Sequence, residues 1–172
     1  MRMLLAAVGL VSAFAQANVS VAQSQSPSQM DSQTPAVPRF TKPQSNYLVN
    51  CGGCHGENGV SNSKLVPDLR DQVGFFLTTS EGRDYLVRLP NVAFSMLSDQ
   101  DLTDVLNFMV FRIGSASVPA HTTPYTVAEV ARLRKQPLNE VSLVDVRNRL
   151  VNTLIGEHQA SQALRVYGSD RY

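Results

Sequence analysis

Cys51-Gly52-Gly53-Cys54-His55, followed at once by Gly56, is the stretch on which the reading of this 172-residue chain turns, because its only two cysteines both fall inside it. Two thiols three positions apart, with an imidazole directly after the second, form the Cys-x-x-Cys-His pattern that attaches a c-type haem. The spacing follows from the chemistry. Where the chain turns into a helix, each thiol can add to one of the two vinyl groups of a single porphyrin, and His55 then lies beneath the iron. Once both thioethers exist, neither sulfur can ligate a metal or form a disulfide. The donor left over is His55, neutral and bound to iron through one ring nitrogen. Its other nitrogen needs an acceptor.

Three other chemistries compete for the same residues. A zinc site needs four ligands, but there is no second cysteine pair, and His121 and His158 stand alone in polar surroundings. A thioredoxin-like redox pair wants a strand before the motif and a βαβ pattern around it, and neither is present. A disulfide between cysteines this close closes a loop too short to stabilise greatly.

The N-terminus has the form of an export signal. Arg2 is the charged region, residues 3–14 are apolar, and small-x-small cleavage sites end at Ala15, Ala17 or Ala22. The apolar run is too short to span a membrane, and no later segment approaches that length. The expectation is a soluble, exported, periplasmic protein with no transmembrane segment after cleavage. Loss of Arg2 leaves 14 basic residues against 14 acidic ones, so nucleic acid is not an expected partner. Only Lys42, Lys64 and Lys135 supply lysine, too few for a steering ring of positive charge.

The chain divides into a signal peptide (1–22), a leader (23–40), a small helical domain carrying the motif (41–115) and a C-terminal helical extension (116–172). The leader is rich in Gln, Ser and Pro and has too few large apolar residues to fold alone. Between 41 and 115 the pattern predicts a short helix over 45–50 leading into the motif and a loop over 56–69. A further helix runs over 79–89 and stops at Pro90. The clearest helix starts at the Ser98 cap, has an acidic first turn of Asp99, Asp101 and Asp104, and carries Leu102, Val105, Leu106, Met109, Val110 and Ile113 at helical spacing until Gly114.

In the extension, Thr126 with Glu129 forms a capping box for a helix to about Lys135. After Pro137 a second helix over 138–154 carries Val141, Val144, Val151 and Leu154 among its apolar positions, with Arg147 and Arg149 outside. Whether these helices wrap the domain or offer a docking surface is left open by the sequence.

From about Tyr47 to Ile113 the chain resembles a class I cytochrome c: a first helix, the haem motif, a loop with a Pro-x-Leu element, a middle helix and an acid-headed terminal helix. The resemblance implies an all-α fold with one covalent haem c held by Cys51 and Cys54. It implies His55 as proximal iron ligand and the carbonyl of Pro67 as the acceptor for His55. Such proteins usually carry a distal Met shortly before the terminal helix, flanked by Gly and Pro. Here that place holds Asn91-Val92-Ala93-Phe94, and Met96, just ahead of the Ser98 cap, is the substitute expected to reach the iron. An open or water-bound site is the other arrangement. Met109 belongs to the packing stripe and His121 to the surface.

Val66, Leu69, Val73, Phe75, Phe76, Leu77, Val92 and Phe94 offer apolar surface to exclude water from the ring. Arg70, Arg83 and Arg88 are candidates for its propionates.

The function implied is a periplasmic monohaem carrier of single electrons, serving a protein redox partner such as a dehydrogenase or oxidase, with no catalytic residues of its own. One rival is a haem enzyme or a protein binding peroxide or a gas at an open iron. Another is a cytochrome subunit of a larger oxidoreductase complex, with the extension as interface.

Overall fold

Thr41 opens the first helix. Its hydroxyl accepts from the backbone N–H of Gln44, and Pro43 sits in the first turn, where its missing N–H costs nothing. A computed structural model describes residues 39–158 and 160–167; they are mostly helical, with no β-strand among them. The signal segment 1–22 and residues 23–38 of the leader lie outside the described residues.

Helix α1 (Lys42–Asn50) runs directly into α2 (Gly52–His55), a single turn that carries the motif. After the expected loop, Val73–Thr78 forms a 3-10 segment that hydrophobic spacing alone did not indicate. Helix α3 (Ser80–Arg88) is capped by Thr79, whose hydroxyl accepts from Gly82 N at 3.0 Å. Leu89 is extended, as a residue before proline must be, and Pro90 then opens the one-turn helix α4 (Pro90–Ala93). The expected stop at Pro90 is thus also a start.

Ser98 caps α5 (Asp99–Phe108), accepting from Asp101 N at 3.1 Å. Its last turn widens into a π-helical segment, Met109–Ile113, closed by Gly114 N donating to Met109 O. Helix α6 (Val127–Leu133) has the capping box in full: Thr126 Oγ1 accepts from Glu129 N, and Glu129 Oε2 accepts from Thr126 N.

Helix α7 is Leu143–His158, five residues later than the sequence pattern suggested. Two interactions explain the delay. Leu138 N is given to Arg88 O, and Ser142 Oγ accepts from Asp145 N, so the cap is at Ser142. Val141, read as apolar packing, is fully exposed, and Val144 is largely exposed.

Helix α1 crosses α5, with the Tyr47 and Phe108 rings 5.7 Å apart, and Lys42 pairs with Asp101 at 2.5 Å. The core continues without a break into the extension. Tyr47, Val73, Val87, Leu106 and Val110 belong to the same buried cluster as Val130, Leu133, Leu150, Val151, Leu154 and Leu164. The helices beyond 115 therefore wrap onto the preceding ones.

Polar ties reinforce that packing. Arg83 forks onto Glu129 at 2.6 and 2.8 Å and also donates to the carbonyls of Thr123 and Pro124. Asn107 exchanges two bonds with the Tyr125 backbone, while the Tyr125 hydroxyl donates to Arg83 O. Arg134 of the extension donates to the carbonyls of Ala93, Ser95 and Leu97 and to the Asp99 carboxylate. No described helix is long and apolar enough to cross a membrane.

Candidate cofactor-binding site

Cys51 is the residue between α1 and α2, and its N–H still donates to Tyr47 O. One helical turn later stands Cys54, so the two thiols share one side of α2, as positions three apart do. Tyr47 anchors this turn from below: it is fully buried, and its hydroxyl donates to Gly56 O at 2.9 Å. Beyond the turn, Ser61 Oγ donates to Cys54 O and Ser61 N donates to Asp68 Oδ1, which holds the 56–69 loop against the motif.

The loop brings Pro67 over His55. His55 Nδ1 donates to the Pro67 carbonyl at 3.0 Å, which leaves Nε2 as the nitrogen with a free lone pair. Burial lowers the His55 pKa, against the opposing pull of the Pro67 bond and the Asp68 charge, so the ring is held towards its neutral, ligating form. Pro67 is itself backed by an isolated antiparallel bridge to Tyr167, at the far end of the extension.

Cys51, Cys54, His55 and Pro67 line one cavity of about 1010 Å³, its open mouth included. Its remaining wall is largely apolar, with Val73, Phe76, Leu86, Leu102, Leu106 and Met109 among the contributors. Both cysteines are unbridged, and burial followed by the neighbouring Cys54 raises the Cys51 thiol to about 11. Cys51 is thus a thiol, not a thiolate, at neutral pH. Among the described residues no group of three or more His, Cys, Asp or Glu side chains converges, so nothing completes a four-donor shell around the motif.

Other expected residues are distributed unevenly. Leu69, Val73, Phe76 and Val92 lie on the cavity wall; Val66, Phe75, Leu77 and Phe94 do not, and Phe94 is 69% exposed. Met96 is 97% exposed and off the wall. The reason is local. Ser95 and Leu97 face the cavity, Arg134 gathers the carbonyls of 93, 95 and 97, and the residue between alternate inward positions points out. The thioether that does line the cavity is Met109, 9% exposed. His121 is exposed with φ at 63°, also off the wall.

None of the expected propionate partners reaches the cavity. Arg70 donates to Asn58 O, Arg88 to Gln136 O, and Arg83 is committed to Glu129 and two carbonyls. The arginine that does reach it is Arg147 of α7, expected outside and found 6% exposed. Its charge argued for solvent, but its position did not: 147 falls on the same helical face as Val146, Leu150, Val151 and Leu154.

The site thus offers two thiols on one turn, an imidazole with a defined free nitrogen, a largely apolar enclosure and a buried cation. Those features fit a covalently held, planar, partly anionic porphyrin. Comparison of the chain with models of protein families, with curated proteins and with solved structures finds no match.

Proposed function

We propose that the chain is a monohaem c-type cytochrome of class I type, exported to the periplasm, that carries single electrons to or from a protein redox partner. The observation that carries this reading is the His55–Pro67 bond beside two unbridged thiols on one cavity wall. Haem c supplies one-electron redox chemistry when bound.

The protein's own part is attachment, orientation and exclusion of water. Cys51 and Cys54 would hold the haem, each thiol adding across one vinyl group with sulfur to one carbon and the thiol hydrogen to the other, so that no atom would leave. Pro67 fixes the His55 ring and keeps Nε2 for the iron. The apolar wall removes water and so tunes the potential. Cys54 is exposed as well as cavity-lining, which supports a cofactor edge within reach of a partner protein.

The placement of Met96 favours a second reading. With that sulfur at the surface, and with Ser95 on the cavity wall and its Oγ buried without a hydrogen-bond partner, a bound haem iron would be left open to a small ligand such as a gas or peroxide.

One preparation tests both. Full-length protein from a host competent in cytochrome maturation should be coloured, with a mass equal to the mature polypeptide plus one haem. A colourless product at the bare peptide mass rejects the haem reading. Carbon monoxide added to the reduced protein separates the two functions: indifference supports the carrier, and a rapid adduct supports the ligand-binding protein.

A further inference from the structure

Arg147 has no ion-pair partner among the described residues. Its Nη2 donates to Leu164 O at 2.8 Å and its guanidinium carbon lies 4.9 Å from the Tyr167 ring centroid, while Nη1 is buried with no hydrogen-bond partner. The ion pairs among the described residues, Lys42–Asp101, Arg83–Glu129 and Arg134–Asp99, do not include it. A buried guanidinium held by one neutral carbonyl and a ring face is poorly compensated, and Arg147 lines the cavity.

Uncharged groups stand beside it on the cavity wall. Burial raises the Tyr85 phenol to about 12 despite the nearby Arg147 charge, so it stays neutral at physiological pH. Ser95 carries no charge either. Asp68 also lines the cavity, where its Oδ1 accepts from Ser61 N at 2.8 Å and its charge acts on His55. A carboxylate on the occupant would give Arg147 a counter-charge.

We propose that Arg147 is the carboxylate anchor of this cavity, its Nη1 donating to a propionate of the bound porphyrin. The inference rests on the haem reading above and extends it: a helix from beyond residue 115 supplies part of the cofactor's own site. Arginine suits the task because its planar fork keeps Nη2 on Leu164 O while Nη1 serves the ligand. Anchoring here also joins the cofactor to the Tyr167–Pro67 bridge, which lies directly behind His55.

The test uses the full exported chain. Haem content is measured first, then the reduction potential as a function of pH for the wild type, R147Q and R147K. The guanidinium holds the propionate ionised, so R147Q should move the pH at which the potential begins to vary upward by about 1–3 units, and R147K should restore most of it. A merely structural arginine would not shift that break. An unchanged profile in haem-loaded R147Q overturns this inference alone, whereas a wild type that takes up no haem overturns the parent reading.

If R147Q does not load, a crystal structure of the loaded wild type decides. Nη1 within hydrogen-bond reach of a porphyrin carboxylate upholds the anchor. Nη1 bonded to a protein group or to water rejects it.

Discussion

At Gly59 the backbone sits at φ 75°, and a Cβ built there would come within 2.2 Å of Ile113 Cγ2 and 3.1 Å of Arg70 N. The carbonyl of the same residue accepts from both Leu69 N and Arg70 N, so the strand of loop that carries Pro67 is measured from this point. Alanine at 59 combines a disfavoured backbone with overpacking; G59A should cost more than about 2 kcal/mol. A urea midpoint equal to the wild type's would refute that. Met96 is the opposite case. With its side chain in solvent, M96A should leave stability within about 0.5 kcal/mol and the ferric absorption spectrum unchanged. A spectral change would mean that the sulfur turns inward when the cofactor binds. Legibility followed the same divide: Cys51, Cys54 and His55 announce their chemistry by adjacency, but Arg147 and Met96 depend on which way one side chain faces. A charged residue on an apolar helical face is read as solvated until a cavity shows what it serves.

Among the elements, those with local punctuation were readable. Ser98 and Thr126 cap the helices they were expected to cap, because a hydroxyl three residues before a receptive N–H is a contact written into the chain. What could not be read were elements shaped by distant partners. The π-helical turn at Met109–Ile113 carries the buried Ile113 against the Gly59 position, forty residues and more away in sequence. The start of α7 is set partly by Leu138 N bonding to Arg88 O. Ser142, three residues before Asp145, was a usable signal for that start and was outweighed by the valines nearby.

For the whole molecule, the joint between the two helical parts is electrostatic as well as apolar. The Arg83 bond holds the Glu129 carboxyl below the usual carboxylate range, and Glu129 in turn raises Arg83. A depressed folded-state pKa means that the unfolded chain binds the proton more readily. The stabilisation is therefore complete above the ordinary glutamate value of about 4.3 and is lost as pH falls through the lower folded value. E129Q should cost about 1 kcal/mol at neutral pH and nothing in strong acid, since a hydrogen bond to a charged group is replaced by a weaker one. Thermal melts of both proteins across that range check it: coincident curves would show that the pair contributes nothing, and a constant offset that its contribution does not titrate. That the extension shares the core was not readable from its composition, because the apolar stripes of α6 and α7 fit an internal surface and an external one equally well.

The clasp of Arg134 on three carbonyls of one connection has a chemical corollary. It turns a thioether outward while keeping the peptide groups around it occupied. Dilute hydrogen peroxide should therefore convert Met96 to its sulfoxide well before Met109, and without loosening the fold. Peptide mass mapping after brief exposure would read that order, leaving position 96 as an expendable sink for oxidising equivalents at the rim of the site.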